Sequence, residues 1–278
     1  MTERDVKAAV REHYAGAARA GSGCCGPASP AGGCCGGSSA PAQLSREIGY
    51  SARELDEVPP GANLGLGCGN PLAHAALALG DVVVDLGSGA GFDCFLAANR
   101  VGPGGRVIGV DMTPEMLARA RANAASGGYA NVEFRLGEIE NLPVADATAD
   151  MVISNCVINL APDKGRVFGE ALRVLKPGGR LMVSDLVLRR PLPESVRRSV
   201  EAYVGCIAGA MLEDDYLAAI RRAGFAGVEV LEEATYPIGS VAADETEAAL
   251  LTDPAIGRDE LLAAAEAVVA VKVGARKP

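Results

Sequence analysis

The spacing of apolar residues changes character near residue 80. On the N-terminal side, Val6, Val10 and Tyr14 stand four apart with charged residues between them, which predicts a helix over residues 1–20. Residues 21–42 read GSGCCGPASPAGGCCGGSSAPA and show no apolar period. Such a stretch of Gly, Ser, Pro and Ala cannot bury a core and is expected to be flexible without a ligand. Residues 43–80 predict a short helix near Ser51–Glu57, a Gly/Pro-rich loop from Pro59 to Pro71, and a further helix from about Leu72 to Leu79.

From Asp81 onward the pattern is regular. Asp81–Leu86 (DVVVDL) is a β-branched run of the kind buried on both faces of a sheet. Further strands are predicted at Arg106–Asp111, Val132–Leu136, Met151–Asn155 and Arg180–Asp185, with two late ones at Val228–Glu232 and Val268–Val273. Helices are predicted at Phe92–Asn99, Pro114–Ala125 with proline in its first turn, and Asp163–Val174, which Lys176-Pro177-Gly178-Gly179 stops. Pro-punctuated helical segments follow over about 194–222. This alternation argues for an α/β fold, doubly wound, with a mostly parallel sheet of seven strands and helices on both faces.

Composition narrows the function classes. Of 278 residues, 49% are hydrophobic, enough for a sizeable core, and 22% are charged. The formal charge of −9 repels phosphate backbones, so no nucleic acid partner is expected. Glu3, Arg4, Asp5, Lys7, Arg11 and Glu12 crowd the region where a signal peptide needs an apolar stretch. The uncharged runs 20–45 and 58–80 are too rich in Gly and Pro for a membrane span. The chain therefore reads as cytoplasmic. Its eight cysteines are then not a disulfide framework by default. Metal or metalloid binding, or redox chemistry, is the better expectation.

The strongest local motif is Val84-Asp85-Leu86-Gly87-Ser88-Gly89-Ala90-Gly91-Phe92, a strand ending in an acid and a glycine turn leading into a helix. Asp85 sits at the carboxyl end of the first strand, where open α/β sheets bind ligands. Asp111 ends the next strand and can accept hydrogen bonds from a ribose diol. A dinucleotide fingerprint needs G-x-G-x-x-G. Here the third glycine comes one residue early, and the preceding acid would repel a pyrophosphate. S-adenosylmethionine has no phosphate and carries an ammonium group that Asp85 can help hold. By resemblance, D-L-G-S-G-A-G followed by V-I-G-V-D, with L-R-V-L-K-P-G-G-R-L-M-V-S-D over Leu172–Asp185, is similar to the class I Rossmann-like methyltransferases. That resemblance places adenine contacts at Gly137-Glu138-Ile139-Glu140.

Cys68, Cys156 and Cys206 lie far apart, and each falls where a cofactor pocket would open. A single cysteine is more often a small buried hydrophobe, and Cys94 fits that description. Three thiolates together make a soft trigonal site, which favours a thiophilic substrate over a hard oxygen acceptor. Trivalent arsenic fits: it is pyramidal, exchanges hydroxyls for thiolates and keeps a lone pair that can attack a sulfonium methyl. No general base is needed, in keeping with only two histidines, His13 and His74.

G-L-G-C-G-N-P around Cys68, D-M-T-P-E-M-L from Asp111, S-N-C-V-I-N-L from Ser154 and Y-V-G-C-I-A-G-A from Tyr203 all resemble arsenite S-adenosylmethionine methyltransferases. The resemblance implies Cys68, Cys156 and Cys206 as As(III) ligands and catalytic residues. It implies a cofactor site of Asp85, Gly87, Ser88, Gly89, Asp111, Met112, Glu138, Ile139 and Asn155. It also implies a redox step in which enzyme thiols, with Cys24, Cys25, Cys34 and Cys35 as candidates, return arsenic to the trivalent state and are reopened by thioredoxin or glutathione. The expected divisions are an N-terminal helix and Cys/Gly-rich segment (1–60), a cofactor-binding core (61–190), and substrate-covering helices with the last strands (191–278). Two rivals remain. One is a methyltransferase of another small molecule, and the other is a metalloid-binding protein without catalysis.

Overall fold

The computed structural model describes residues 3–20, 40–235 and 256–278. Cys24, Cys25, Cys34 and Cys35, and the expected flexibility of their segment, lie outside the described residues. The chain opens with α1 (Glu3–Ala20), α2 (Ala40–Glu47) and α3 (Ala52–Asp56). The sequence pattern predicts α1 and α3 but not α2. A capping box starts α3: Ser51 Oγ accepts from Glu54 N, and the Glu54 carboxylate accepts from Ser51 N at 2.8 Å.

Seven strands follow: β1 (Val82–Leu86), β2 (Arg106–Asp111), β3 (Val132–Leu136), β4 (Ala149–Asn155), β5 (Leu175–Leu188), β6 (Ala226–Thr235) and β7 (Val268–Arg276). They form one sheet in the order β3-β2-β1-β4-β5-β7-β6. The first five pair in parallel, and β7 runs antiparallel to both β5 and β6. Strand order reverses between β1 and β4, which opens a crevice at their carboxyl ends.

Side chains alternate across the sheet. Val83, Val107 and Met151 face a core built with α4 (Phe92–Val101) and α5 (Pro114–Gly127). Val84, Ile108 and Val152 face a core built with α6 (Lys164–Val174) and α9 (Glu213–Arg222), where Tyr216 and Phe168 are fully buried edge to face. Burial on both faces is why β1 reads as an unbroken apolar run. A third apolar cluster caps the carboxyl ends of β4 and β5. It joins Val10 of α1 with residues of α7 (Glu194–Arg198), α8 (Val200–Val204) and α10 (Arg258–Ala267), and it contains Cys68, Cys156 and Cys206. No helix among the described residues is long and apolar enough to cross a membrane.

The expected helix at Leu72–Leu79 does not form. Only Pro71–Ala73 makes a short 3-10 turn, begun by Asn70, whose Oδ1 accepts from Leu72 N at 3.0 Å. Side chains take the main-chain oxygens that a helix would use: Arg100 binds Leu72 O, and Arg180 reaches Ala76 O at 2.5 Å. Leu72 and Ala75 are buried by tertiary packing rather than by a helical stripe. The late strands run longer than the sequence predicts. The exposed edge strand β6 carries Glu229, Glu232 and Glu233, and these charges keep its free edge from pairing with other chains.

Candidate functional site

The crevice at the carboxyl ends of β1, β2 and β4 opens into a cavity of about 1040 Å³, counting space open to solvent. Asp85, Gly87, Ser88, Gly89, Asp111, Met112, Ile139 and Asn155 line it. Residues from α1 (Lys7, Val10, Tyr14) close one side, although the sequence alone gave no reason to place this helix there. Glu138 is not among the lining residues. Its carboxylate turns to α1 and pairs with Lys7 Nζ at 2.8 Å, and Glu140 lines the cavity instead.

Two glycines shape the turn after β1. Gly87 has φ +68°, and a Cβ there would stand 2.4 Å from Val157 Cγ2, so only glycine fits. Gly89 has φ +51°, but a Cβ there would meet nothing within 4 Å. Its N–H donates to Asp111 Oδ2 at 2.9 Å, and Thr113 N donates to Asp111 Oδ1 at 2.8 Å.

Four buried carboxylates, Asp85, Asp93, Asp111 and Glu140, line this one cavity. Burial pushes Asp85 well above the usual carboxylate range, and neighbouring Asp93 adds to the shift. Burial raises Asp93 and Asp111 as well, opposed at Asp93 by hydrogen bonds from Tyr50 and Asn155. Among the described residues, Lys7 is the one basic side chain lining the cavity, and it is already engaged by Glu138 and Glu140. Ser88 Oγ is buried without a hydrogen-bond partner among the described residues. Acids short of a counter-ion, an unmatched hydroxyl and a side-chain-free wall suit a polar ligand that carries a cation. Cys94, read from sequence as packing, is buried and also donates its thiol to Asp85 Oδ2 at 3.1 Å.

Two of the three predicted thiols, Cys68 and Cys156, meet beside this cavity, and Cys206 joins through Cys156 alone, outside the group of mutually close ligand atoms. Cys68 Sγ, Cys156 Sγ and a carboxylate oxygen of Asp185 all lie within 4.8 Å of one another. Cys206 Sγ donates to Cys156 O at 2.8 Å, and its thiol is in hydrogen-bonding contact with that of Cys156. Cys156 directly follows β4, between the cavity-lining residues Asn155 and Val157, so the thiol cluster adjoins the cavity wall. Burial pushes the Cys68 thiol up to about 11 and raises Cys156 as well. Cys206 is raised by its contact with Cys156 and by burial. All three are therefore neutral thiols at physiological pH.

Asp185 is the residue of this cluster that the sequence reading missed. It closes the Leu172–Asp185 motif, which points to the fold and gives this residue no role in the site. It is fully buried and accepts from Asn159 Nδ2 at 2.8 Å and Tyr216 Oη at 3.0 Å. Burial pushes its carboxyl up to about 7.

Comparison with known proteins agrees with the fold. A family described as methyltransferase domain matches residues 77–224. The solved arsenic(III) S-adenosylmethionine methyltransferase of Chlamydomonas reinhardtii superposes with a TM-score of 0.63 and 36% sequence identity, over 84% of this chain and 73% of that one. The chain belongs to the arsenite S-adenosylmethionine methyltransferase family. Within that family, the arsenite methyltransferase of Halobacterium salinarum is 52% identical over 229 residues, 81% of this chain and 59% of the relative. That of Aquipseudomonas alcaligenes is 46% identical over 174 residues, 60% of this chain and 50% of the relative. The chain thus spans about half to three-fifths of the length of these two curated relatives.

Proposed function

We propose that this chain is an arsenite methyltransferase. As(III), carried in as a thiol complex, is held by Cys68, Cys156 and Cys206. It takes a methyl group from S-adenosylmethionine bound by Asp85, Gly87, Ser88, Gly89, Asp111, Met112, Ile139 and Asn155. The observation that carries the reading is the cluster of buried thiols against the wall of an acid-lined cavity. The names of the Halobacterium, Aquipseudomonas and Chlamydomonas relatives support it.

When bound, S-adenosylmethionine supplies an electrophilic methyl on its sulfonium sulfur. The rest falls to the chain's own residues. Asp85 and Asp93 face the ligand's ammonium group, whose charge favours the ionised carboxylates that burial otherwise opposes. Asp111, fixed by the N–H groups of Gly89 and Thr113, presents its carboxylate to a ribose.

Neutral thiols suit neutral arsenous acid. Each thiol proton leaves with a departing hydroxyl as water, or with a departing thiol, so the three-sulfur complex is also neutral. No unpaired charge is then buried in the apolar cluster. Arsenic held by three sulfurs keeps its lone pair on the open side, and no side chain has to remove a proton.

Mono- and dimethyl arsenicals would be the products, with further methylation allowed, and the setting would be a reducing cytoplasm. Methylation leaves arsenic formally pentavalent. Two enzyme thiols would return it to the trivalent state by forming a disulfide, which thioredoxin or glutathione reopens. Cys24, Cys25, Cys34 and Cys35 are candidates for this step.

The test is arsenic speciation over time after incubation with arsenite, S-adenosylmethionine and glutathione. Methylated arsenicals support the reading. Tight arsenite binding with no methylated product would favour a sequestering protein. Methyl transfer to other acceptors but not to arsenite would favour a different methyltransferase.

A further inference from the structure

The Asn155 side chain stands between the two halves of the site. On the cavity side, Nδ2 lies 3.1 Å from Asp93 Oδ2 and 3.0 Å from Tyr50 Oη. On the thiol side, Nδ2 lies 2.8 Å from Gly69 O, and Oδ1 accepts from Cys68 N at 3.1 Å. Tyr50 Oη donates to Asp93 Oδ1 at 2.7 Å, so Tyr50, Asp93 and Asn155 close a ring of hydrogen bonds. These partners set which way the amide faces. Turned over, it would place Oδ1 against a carboxylate and a carbonyl, and its NH₂ against the Cys68 N–H. The Cys68 loop also lies hard against this side chain: a Cβ on Gly67 would stand 2.9 Å from Asn155 Nδ2.

We propose that Asn155 is a positioning residue that couples the two binding events, its amide tying the Cys68 loop to the Asp93 corner of the cavity so that cofactor and As(III) each tighten the other. The inference rests on the three thiols being the arsenic site. A cation beside Asp93 holds that carboxyl in the ionised form that accepts from Tyr50 on one oxygen and Asn155 on the other, which fixes the amide and with it the Cys68 main chain. Arsenic on Cys68 holds the same loop from the other end. Whichever ligand binds first carries the cost of ordering the ring, and the second binds to a loop already placed. By linkage, the two affinities change by one common factor.

The test uses S-adenosylhomocysteine, which has the ammonium group and no methyl to transfer. Arsenite affinity is measured by titration calorimetry with and without it, and its own affinity with and without arsenite. The wild type should show a common factor of about fivefold or more in both directions. Asn155→Ala should weaken arsenite binding and bring the factor toward one. Tyr50→Phe, a lighter change that opens the ring and leaves Asn155 in place, should also lower the factor, and it decides the matter if Asn155→Ala does not fold. Loss of a merely structural contact would weaken binding without changing the factor. Arsenite binding that is intact but uncoupled in the wild type, or wild-type coupling in both variants, overturns this inference alone. A wild type that binds no arsenite overturns the arsenic site and this inference with it.

Discussion

The Cys206 thiol donates to the main-chain oxygen of Cys156 across 2.8 Å, and both residues hold left-handed backbone, with φ of 64° and 60°. Only one other residue that is not glycine, Ala147, has positive φ among the described residues. A left-handed L-residue costs about 1–3 kcal/mol. Two of the three proposed ligands therefore hold their sulfurs in place at a cost to the fold.

That strain can be measured without arsenic. Cys206→Gly and Cys206→Ala both lose the thiol, and they differ only in a Cβ on a left-handed residue. The glycine variant should be more stable by about 1–2 kcal/mol in urea unfolding. An alanine variant of equal or greater stability would show that position 206 is unstrained.

Proton counting tests the neutral exchange. Burial holds the Cys68 thiol at about 11, and Cys156 and Cys206 are raised well above the ordinary thiol value. All three stay protonated between pH 6 and 8, so arsenite should bind with close to zero net proton release. Calorimetry in buffers of different ionisation enthalpy measures this. Uptake of protons on binding would mean that thiols were already ionised in the free protein, because arsenous acid and each thiolate must gain a proton to lose water. The same raised values act on the ligand-free fold. Their stabilising contribution is complete below the unfolded thiol value of roughly 8.5 and is lost as pH rises through the folded values. Stability should therefore decline from about pH 8.5 upward, which unfolding curves at stepped pH would show.

The glycine turn offers a paired comparison. Gly87→Ala forces a Cβ into Val157 at 2.4 Å on a backbone of positive φ, so Val157 must move. A loss of about 2–3 kcal/mol in stability is expected, together with loss of cofactor binding. Gly89→Ala meets no atom within 4 Å, so its cost is about 1–2 kcal/mol of backbone strain. Its methyl would stand at the cavity wall and should weaken S-adenosylhomocysteine binding. Equal stability losses in the two variants would contradict the packing described around Gly87.

The cofactor cavity was legible in sequence where its residues come from one contiguous turn. Asp85, Gly87, Ser88 and Gly89 all line it, and Asp111 and Met112 follow at the end of the next strand. Of the stretch Gly137-Glu138-Ile139-Glu140, all but Glu138 line the cavity, and the pairing of Lys7 with both Glu138 and Glu140 was not legible because α1 is remote in sequence. Tyr50, Asp93 and Asp185 escaped notice for a related reason. None is marked by a local signal for the site, and each gains its role only from partners on other elements. The Leu72–Leu79 segment misled because its composition favours a helix, while Arg100 and Arg180 bind the main-chain oxygens a helix needs. The three thiols were legible through their flanking motifs, but their left-handed backbone was not, since cysteine carries none of the preference that marks glycine.

In the proposed site one arsenic atom is bound by three cysteine sulfurs. X-ray absorption at the arsenic edge, on protein loaded with one equivalent of arsenite and freed of excess thiol, counts those neighbours directly. The account predicts three sulfur neighbours in the wild type, and two sulfurs with one oxygen in each of Cys68→Ser, Cys156→Ser and Cys206→Ser. Two sulfurs in the wild type, or three retained in any of these variants, would contradict it.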